Sequence, residues 1–273
     1  MFLRIVRAHC AEQSGIKEVK IPFDLYLVYQ DQLFGGAIMA GILYGAGVGP
    51  GDPEYMTLKV VRLIRENDVI AVPGPVAKET VAYKIAVQAV PELADKILLP
   101  VYMPMMKDRE EMDRSHEKAA DMIEPYLKEG KNVVYLVLGD STIYCTYAYV
   151  QRKLEGRGYQ TQLISGVPSF CAAAAYANIS LVEWNEELHV IPSVHETGSK
   201  LDRPGTYVLM KSGSRMKELK EQLRETDKDV VMISNCGMED EAIYRSVDEI
   251  PDESGYYSLI IAKDKKDRCP SFF

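Results

Sequence analysis

The stretch from Ile42 to Thr57, ILYGAGVGPGDPEYMT, constrains the fold of this chain more than any other. An apolar run that leads into a glycine-rich bend and then into a helix is typical of a strand, loop and helix unit. Thr57 is a good helix N-cap, and Leu58, Val61 and Ile64 follow it at helical spacing. The same order recurs along the chain, which predicts an α/β fold with a mostly parallel sheet.

Each predicted strand is a short apolar run that ends in small or polar residues. The predicted strands cover residues 42–46, 68–74, 96–101, 132–138, 161–165, 188–192, 206–210, 229–234 and 257–262. The predicted helices begin at Thr57 and otherwise cover residues 77–90, 108–129, 145–154, 171–177 and 215–223. Ligands of open α/β sheets bind at the carboxyl ends of the strands, so we expect the site there.

The chain divides into three predicted parts. Residues 1–38 form an N-terminal extension without a clear period, residues 39–157 a first α/β domain, and residues 158–273 a second. The polar, glycine-bearing stretch 155–160 has the character of a domain boundary. The extension is either a loosely ordered native segment or an upstream over-read with synthesis starting at Met39, and we favour the second.

Composition excludes several classes of function. The formal net charge is −8, with a pI near 5.2, which argues against a nucleic-acid partner because nonspecific binding to phosphate needs a basic field. The five cysteines form no C-x-x-C pair and are odd in number, so we expect reduced thiols and a cytoplasmic location. No apolar window approaches the roughly 20 residues that span a bilayer, so we expect no membrane partner.

Two common nucleotide motifs fail on the glycine bend. A P-loop needs G-x-x-x-x-G-K-[ST], but Pro50 stands five places after Gly45 and no Lys-Thr pair follows. A dinucleotide fingerprint starts well at Gly45 and Gly47, but Pro50 takes the place of its third glycine. The expected ribose-binding carboxylate is also missing from 71–74, the end of the second predicted strand. Two interpretations of the glycines remain: a backbone that approaches a ligand or another segment closely, or simply a tight turn between strand and helix.

The bend is the first of several motifs that occur in a fixed order along the chain. V-G-P-G-D-P before M-T-L, then L-G-D-S-T-I-Y, then I-S-G-V-P-S-F together resemble the tetrapyrrole methylase family, the class III S-adenosylmethionine-dependent methyltransferases of corrin and sirohaem biosynthesis. The resemblance runs from Met39 to about Ala262. Within the family, GDPEYMTLKVVRLI and GDSTIYCTY are most similar to the C20-methyltransferases that act on precorrin-2 or cobalt-precorrin-2.

The resemblance implies a homodimer of two α/β/α domains, with a mostly parallel sheet in the first, a mixed sheet in the second and a ligand cleft between them. It implies S-adenosylmethionine as cofactor and a tetrapyrrole as substrate. The cofactor-binding residues that it implies are Gly139, Asp140, Ser141, Ile143, Tyr144, Ser169, Met210, Cys236, Ser258 and Leu259. Many relatives have proline where this chain has Ser141, a difference that the C20 group tolerates.

The resemblance also implies where the tetrapyrrole binds, and the charge of the substrate adds candidate cations. The glycine bend is interpreted as a floor without side chains, formed by Gly47, Gly49, Pro50 and Gly51. Because the substrate carries many carboxylates and the chain is acidic, local cations must bind it, and the candidates are Lys78, Lys211 and Arg245. The candidate acceptors of the substrate proton, which would be the catalytic residues, are Asp140, Tyr144 and Asp52.

No metal site is predicted. The four histidines, His9, His116, His189 and His195, show no ligand spacing, so cobalt, if present, arrives inside the substrate. The sequence thus predicts methyl transfer to C20 of precorrin-2 or its cobalt complex. A methylase acting at another tetrapyrrole position, a nicotinamide-dependent oxidoreductase and a non-catalytic nucleotide-binding module remain as alternatives.

Overall fold

Two five-stranded sheets organise the computed structural model, which describes residues 39–104, 106, 108–192 and 201–265. The strand order is β3-β2-β4-β1-β5 in the first sheet and β6-β7-β10-β8-β9 in the second. All pairings in the first sheet are parallel. In the second sheet only β6 and β7 pair in parallel, so that sheet is mixed. The predicted extension, residues 1–38, lies outside the described residues, as do His9 and His195.

The strands have the following bounds. They are β1 Ile42–Gly47, β2 Val69–Pro73, β3 Ile97–Val101, β4 Val133–Val137, β5 Gln160–Ile164, β6 Leu188–Pro192, β7 Thr206–Met210, β8 Lys228–Ser234, β9 Ala242–Tyr244 and β10 Ser258–Asp264. The helices are α1 Leu58–Glu66, α2 Val81–Ala89, α3 Arg109–Lys128, α4 Tyr147–Gly156, α5 Ser169–Tyr176 and α6 Met216–Arg224. None of these helices is both long enough and apolar enough to cross a membrane.

The first sheet is buried on both faces at its centre because strands β1, β2 and β4 are largely apolar. Every residue of β4 is buried, as expected for a central parallel strand. Val60 and Ile64 of α1 pack in a core on one face together with α2. Ile123 of α3 and Val150 of α4 pack in a second core on the other face. The first sheet therefore lies between two helical layers.

The second sheet is also covered on both faces. Phe170 and Ala173 of α5 pack against Val208 and Leu259 on one side. Leu219 of α6 packs in a separate core on the other side. The predicted fold class is confirmed: it is α/β, with one parallel sheet and one mixed sheet, each between helices.

Strand β5 corrects one part of the predicted organisation. The sequence places this strand in the second α/β domain, residues 158–273, but it pairs in parallel with β1 of the first sheet, with Ala46 opposite Ile164. The first sheet therefore continues past residue 157, where we placed the domain boundary. The polar pattern of 155–160 reflects the end of α4 and a mostly exposed edge strand, not a change of sheet. The division into two domains itself stays a prediction.

Helix starts agree with the capping residues in the sequence. Asp108 accepts a hydrogen bond from the Glu111 amide at 2.9 Å at the start of α3. The predicted helix 77–90 is instead divided into a short 3₁₀ turn and α2. Thr80 causes the break, since its backbone is extended and its hydroxyl accepts from the Tyr83 amide at 3.3 Å.

Candidate functional site

A cavity of about 710 Å³ lies where β4, β7 and β8 end, a size typical of small-molecule sites. β10 runs antiparallel to β7 and β8, so its first residues reach the same edge: Leu259 pairs with Met210, and Ser258 pairs with Ser234. The cavity is lined by every residue predicted to bind the cofactor, namely Gly139, Asp140, Ser141, Ile143, Tyr144, Ser169, Met210, Cys236, Ser258 and Leu259. Their assignment to the cofactor stays a prediction.

Asp140 holds the loop after β4 in place. One carboxylate oxygen accepts hydrogen bonds from the Thr142 amide, at 2.7 Å, and from the Thr142 hydroxyl. The other accepts from the Ser165 hydroxyl and, at 2.9 Å, from the Gly166 amide. Burial alone would raise the pKa of Asp140, but these hydrogen bonds outweigh it and hold the pKa below its ordinary value. A carboxylate with four donors is a weak base, so its geometry favours a bracing role over the predicted role as proton acceptor.

Two cavity residues, Tyr144 and Lys211, have left-handed backbone conformations that are rare for side chains of their size. Their φ values are 45° and 59°. The Tyr144 hydroxyl donates to the carbonyl of Val190 at 3.0 Å, which ties the loop after β4 to β6 of the second sheet. The ammonium of Lys211 lies 5.8 Å from the centroid of the Tyr256 ring. Such conformations persist where the surroundings enforce them, as at binding sites.

Polar groups from the second sheet are held by one another. The Ser258 hydroxyl lies 3.1 Å from that of Ser234 and also contacts the Ser254 hydroxyl. Burial raises the pKa of the Cys236 thiol to about 12 and that of Cys145 to about 11. Both thiols line the cavity in their neutral form, so neither is an activated nucleophile.

The glycine bend contacts the protein itself. Gly49 and Gly139 exchange backbone hydrogen bonds of 3.2 and 2.8 Å. A Cβ on Gly47 would lie 2.7 Å from the Gly166 nitrogen, and a Cβ on Gly51 would overlap the Cys236 carbonyl oxygen. None of the three lines the cavity, whereas Pro50 does. These glycines let backbones pack closely, and of the four predicted floor residues Pro50 lines the cavity. The glycine floor under the substrate stays a prediction.

The other sequence-predicted residues divide in the same way. Lys211 lines the cavity, but Lys78, Arg245 and Asp52 do not. Lys78 is exposed on the 3₁₀ turn after β2, and Arg245 is exposed just after β9. Asp52 accepts a hydrogen bond from the Glu54 amide at 2.8 Å and caps the turn Pro53–Tyr55. Lys211 directly follows β7 and lines the cavity, whereas Arg245 directly follows β9 and does not. Position at a strand end alone therefore does not decide which cation reaches the cavity.

Several cavity residues were missed by sequence reasoning. His116 of α3, Tyr135 of β4, and Tyr149 and Arg152 of α4 all line the cavity. The spacing of Tyr149 and Arg152, three residues apart just after GDSTIYCTY, was an available signal. His116 gave no such signal, since its helix reads as a charged surface helix, yet the residue is 5% exposed.

The described histidines have packing roles. His116 stacks on Tyr149 with ring centroids 4.4 Å apart, and burial lowers the pKa of its imidazole. His189 stacks on Tyr207, and its Nε2 atom lies 3.1 Å from the Pro204 carbonyl. Within the described ranges, no group of three or more His, Cys, Asp or Glu side chains could hold a metal ion.

Comparisons with known proteins agree with this architecture. Residues 42–250 match the family model of the tetrapyrrole (corrin/porphyrin) methylases. A Methanocaldococcus jannaschii protein named probable cobalt-precorrin-2 C(20)-methyltransferase is 33% identical over 226 residues, which cover 81% of this chain and 95% of that protein. The cobalt-precorrin-2 C(20)-methyltransferase of Salmonella typhimurium is 26% identical, over 82% of this chain and 96% of its own.

A solved structure shares the fold. The uroporphyrin-III C-methyltransferase of Thermus thermophilus, solved in complex with S-adenosyl homocysteine, superposes with a TM-score of 0.58 and 23% identity, covering 82% of this chain and 97% of its own. The family model covers well over half of the chain, and the strand-end loops that carry the motifs surround one cavity. The chain therefore belongs to the tetrapyrrole (corrin/porphyrin) methylases.

Proposed function

We propose that this chain transfers a methyl group from S-adenosylmethionine to C20 of precorrin-2 or of its cobalt complex. The observation that carries the proposal is the similarity, over nearly their full lengths, to proteins named for C20 methylation of cobalt-precorrin-2. A family member of the same fold has been solved with S-adenosyl homocysteine, which supports the choice of cofactor. The names of these two relatives favour the cobalt complex as the substrate.

The cavity fits a cofactor that combines a flat purine with a polar amino-acid end. Met210, Cys236 and Leu259 supply an apolar wall formed by strand ends of the second sheet. α5 starts at Ser169 after Pro168, which offers no side-chain cap, so the first amides of the helix are available to an acceptor. Gly139 has a φ of 75° and meets nothing closer than 3.9 Å where a Cβ would stand, so it leaves the cavity open.

Specific residues would hold each ligand. Gly139–Tyr144 and Ser169 would hold the cofactor from one side, and Met210, Cys236, Ser258 and Leu259 from the other. When bound, S-adenosylmethionine supplies an electrophilic methyl group. The protein's contribution is mainly positional: it aligns the substrate carbon and keeps water away. Asp140 contributes by fixing the loop rather than by taking the proton, because its two carboxylate oxygens already accept four hydrogen bonds.

Substrate binding falls to the same cavity. Pro50 and Lys211 are the predicted substrate residues that line it. Lys211 would attract a carboxylate of the substrate, and its position over Tyr256 holds the ammonium without neutralising it. The proposal also includes a homodimer, which the family resemblance implies, and a cytoplasmic location, which the absence of a cysteine pair pattern favours.

The test is a methyl-transfer assay on the purified chain. We expect precorrin-2 or cobalt-precorrin-2 to gain one methyl group in place of one hydrogen, with release of S-adenosylhomocysteine. Calorimetry is expected to show binding of S-adenosylhomocysteine and none of NAD. Binding of NAD instead would support the oxidoreductase, and cofactor binding without methylation of any tetrapyrrole would support a non-catalytic module. Size-exclusion chromatography with light scattering tests the dimer.

A further inference from the structure

The cavity extends beyond the predicted residues to a group of side chains from α3, β4 and α4. His116, Tyr135, Tyr149 and Arg152 line this part, which we call the α4 subsite. Sequence reasoning assigned no binding role to any of the four. They add a cation, two phenols and an imidazole to the cavity that the cofactor motifs also line.

Arg152 differs from the other cations of its helix. Lys153 pairs with Asp113 at 2.8 Å and with Glu117 at 2.9 Å, and Arg157 pairs with Glu124 at 2.6 Å. Arg152 has no carboxylate partner among the residues that the structure describes, and its guanidinium instead lies 5.0 Å from the Tyr149 ring centroid. A guanidinium offers a planar fork of donors that matches a carboxylate. Arg152 therefore keeps its donors available at the cavity.

Tyr149 holds this guanidinium within a packed stack. It lies three residues before Arg152 on α4, so the two side chains share a helix face. Its ring is nearly parallel to that of His116, with an interplanar angle of 5°. His116 is buried and fixes the phenol ring from α3. The cation is thus positioned before any ligand arrives, which reduces the entropy lost on binding.

Tyr135 supplies a second polar group. Its side chain is 1% exposed, and its hydroxyl is the one buried side-chain polar atom in the described part of the chain that lacks a hydrogen-bond partner. Burial raises the pKa of Tyr135 and the neighbouring Thr146 side chain counteracts this, but the two side chains form no hydrogen bond of ordinary geometry. Native structures rarely leave such a group unsatisfied, so this hydroxyl has capacity for a ligand or an ordered water.

We propose that the α4 subsite binds one carboxylate side chain of the tetrapyrrole substrate, with Arg152 as its ionic partner and the Tyr135 hydroxyl as a further donor. The inference rests on the proposed function for the identity of the substrate. It also explains how a chain of net charge −8 attracts a polycarboxylate. Arg152 and Lys211 both line the cavity, whereas Asp140, its one acidic lining residue in the described ranges, is already saturated with hydrogen bonds.

Two variants test the subsite. Arg152→Met keeps the aliphatic stem and removes the charge, and we expect about a tenfold rise in the substrate KM with kcat and S-adenosylhomocysteine affinity unchanged, the size of effect that one charge-assisted contact produces. Tyr135→Phe removes only the unpaired hydroxyl. It is expected to unfold at the same or higher urea concentration than the wild type and still to raise the KM about threefold or more, a combination that a purely structural hydroxyl does not produce.

Lys153→Met is the matched control, because the adjacent lysine is paired with α3 and does not line the cavity. Fluorescence titration with metal-free sirohydrochlorin, an oxidised polycarboxylate relative of the substrate, repeats the comparison without turnover. If the wild type binds this probe but methylates neither precorrin-2 nor cobalt-precorrin-2, the C20 proposal fails. The titrations of the variants with the probe still decide whether the subsite exists. Unchanged affinity and KM in folded Arg152→Met and Tyr135→Phe, or no binding of the probe by the wild type, overturns the inference.

Discussion

The amide of Gly166 donates a 2.9 Å hydrogen bond to the carboxylate of Asp140, which joins the loop after β4 to the loop after β5. Replacing Asp140 by asparagine turns one acceptor into a donor and leaves at least one of these amides or hydroxyls unmatched. We expect the free energy of unfolding to fall by about 1–3 kcal/mol and S-adenosylhomocysteine affinity to fall with it. Urea titration and calorimetry measure both, with Asp52→Asn as the comparison; equal stability of Asp140→Asn and wild type contradicts the bracing role.

The same carboxylate makes stability depend on acid. Because the folded pKa of Asp140 lies below its ordinary value of 3.8, the ionised group stabilises the folded state above that value. This contribution is lost as the pH falls below about 4 and through the folded pKa. Between pH 5 and pH 3 the wild type is therefore expected to lose more stability than Asp140→Asn, measured by urea unfolding at each pH. Parallel losses in the two proteins would show that the carboxylate is not the source.

Gly51 is expected to tolerate no side chain. A Cβ there would overlap the Cys236 carbonyl and approach the Gly237 Cα to 2.9 Å. Gly51→Ala is predicted to lower the free energy of unfolding by about 1–3 kcal/mol, the usual cost of overpacking. Gly156→Ala is the control, since nothing lies within 4 Å of its added Cβ in the last turn of α4. That variant is expected to be neutral or more stable by up to about 1 kcal/mol, and equal effects at both glycines would refute the packing argument.

Cys236 and Cys145 report on the cavity. Burial raises their thiol pKa values to about 12 and about 11, so at pH 7.5 both are protonated and are expected to react slowly with iodoacetamide. The exposed Cys171 is expected to react faster and serves as the internal reference. S-adenosylhomocysteine is predicted to slow alkylation of Cys236 further, measured peptide by peptide with mass spectrometry. Rapid labelling of Cys236 that the cofactor product does not change would contradict the proposed cavity.

Lys211 differs from the two other predicted substrate cations in its position at the cavity. Sequence reasoning placed Lys78, Lys211 and Arg245 together as substrate cations, but only Lys211 lines the cavity. We expect Lys211→Met to raise the substrate KM about tenfold and Lys78→Met and Arg245→Met to change it less than twofold. If all three raise it equally, the substrate occupies a surface wider than the cavity.

The fold was largely predictable because the apolar runs and the helix-capping residues indicate the same elements. The continuous apolar run of β4 indicated a central parallel strand, and Asp108 marked the start of α3. The pairing of β5 was not predictable, since a short amphiphilic strand after a polar loop fits the edge of either sheet, and only long-range contacts with β1 decide between them.

The candidate site was predictable where motifs coincide with strand ends. The loop Gly139–Tyr144 and the first residues of β10 reached the cavity as expected. The sequence could not distinguish two reasons for glycine at positions 47, 49 and 51, because close backbone contacts and open space for a ligand both require the absence of a side chain. His116 and Tyr135 were missed because their cavity positions depend on how α3 packs against the first sheet.

The position of the transferred methyl group decides whether the chain is a C20-methyltransferase. The chain is incubated with precorrin-2 or cobalt-precorrin-2 and S-adenosylmethionine labelled with ¹³C in its methyl group, and the product is examined by NMR. We expect one labelled methyl carbon bonded to C20, with loss of the C20 hydrogen. A label on any other ring carbon, or no label in the tetrapyrrole while S-adenosylhomocysteine still binds, contradicts it.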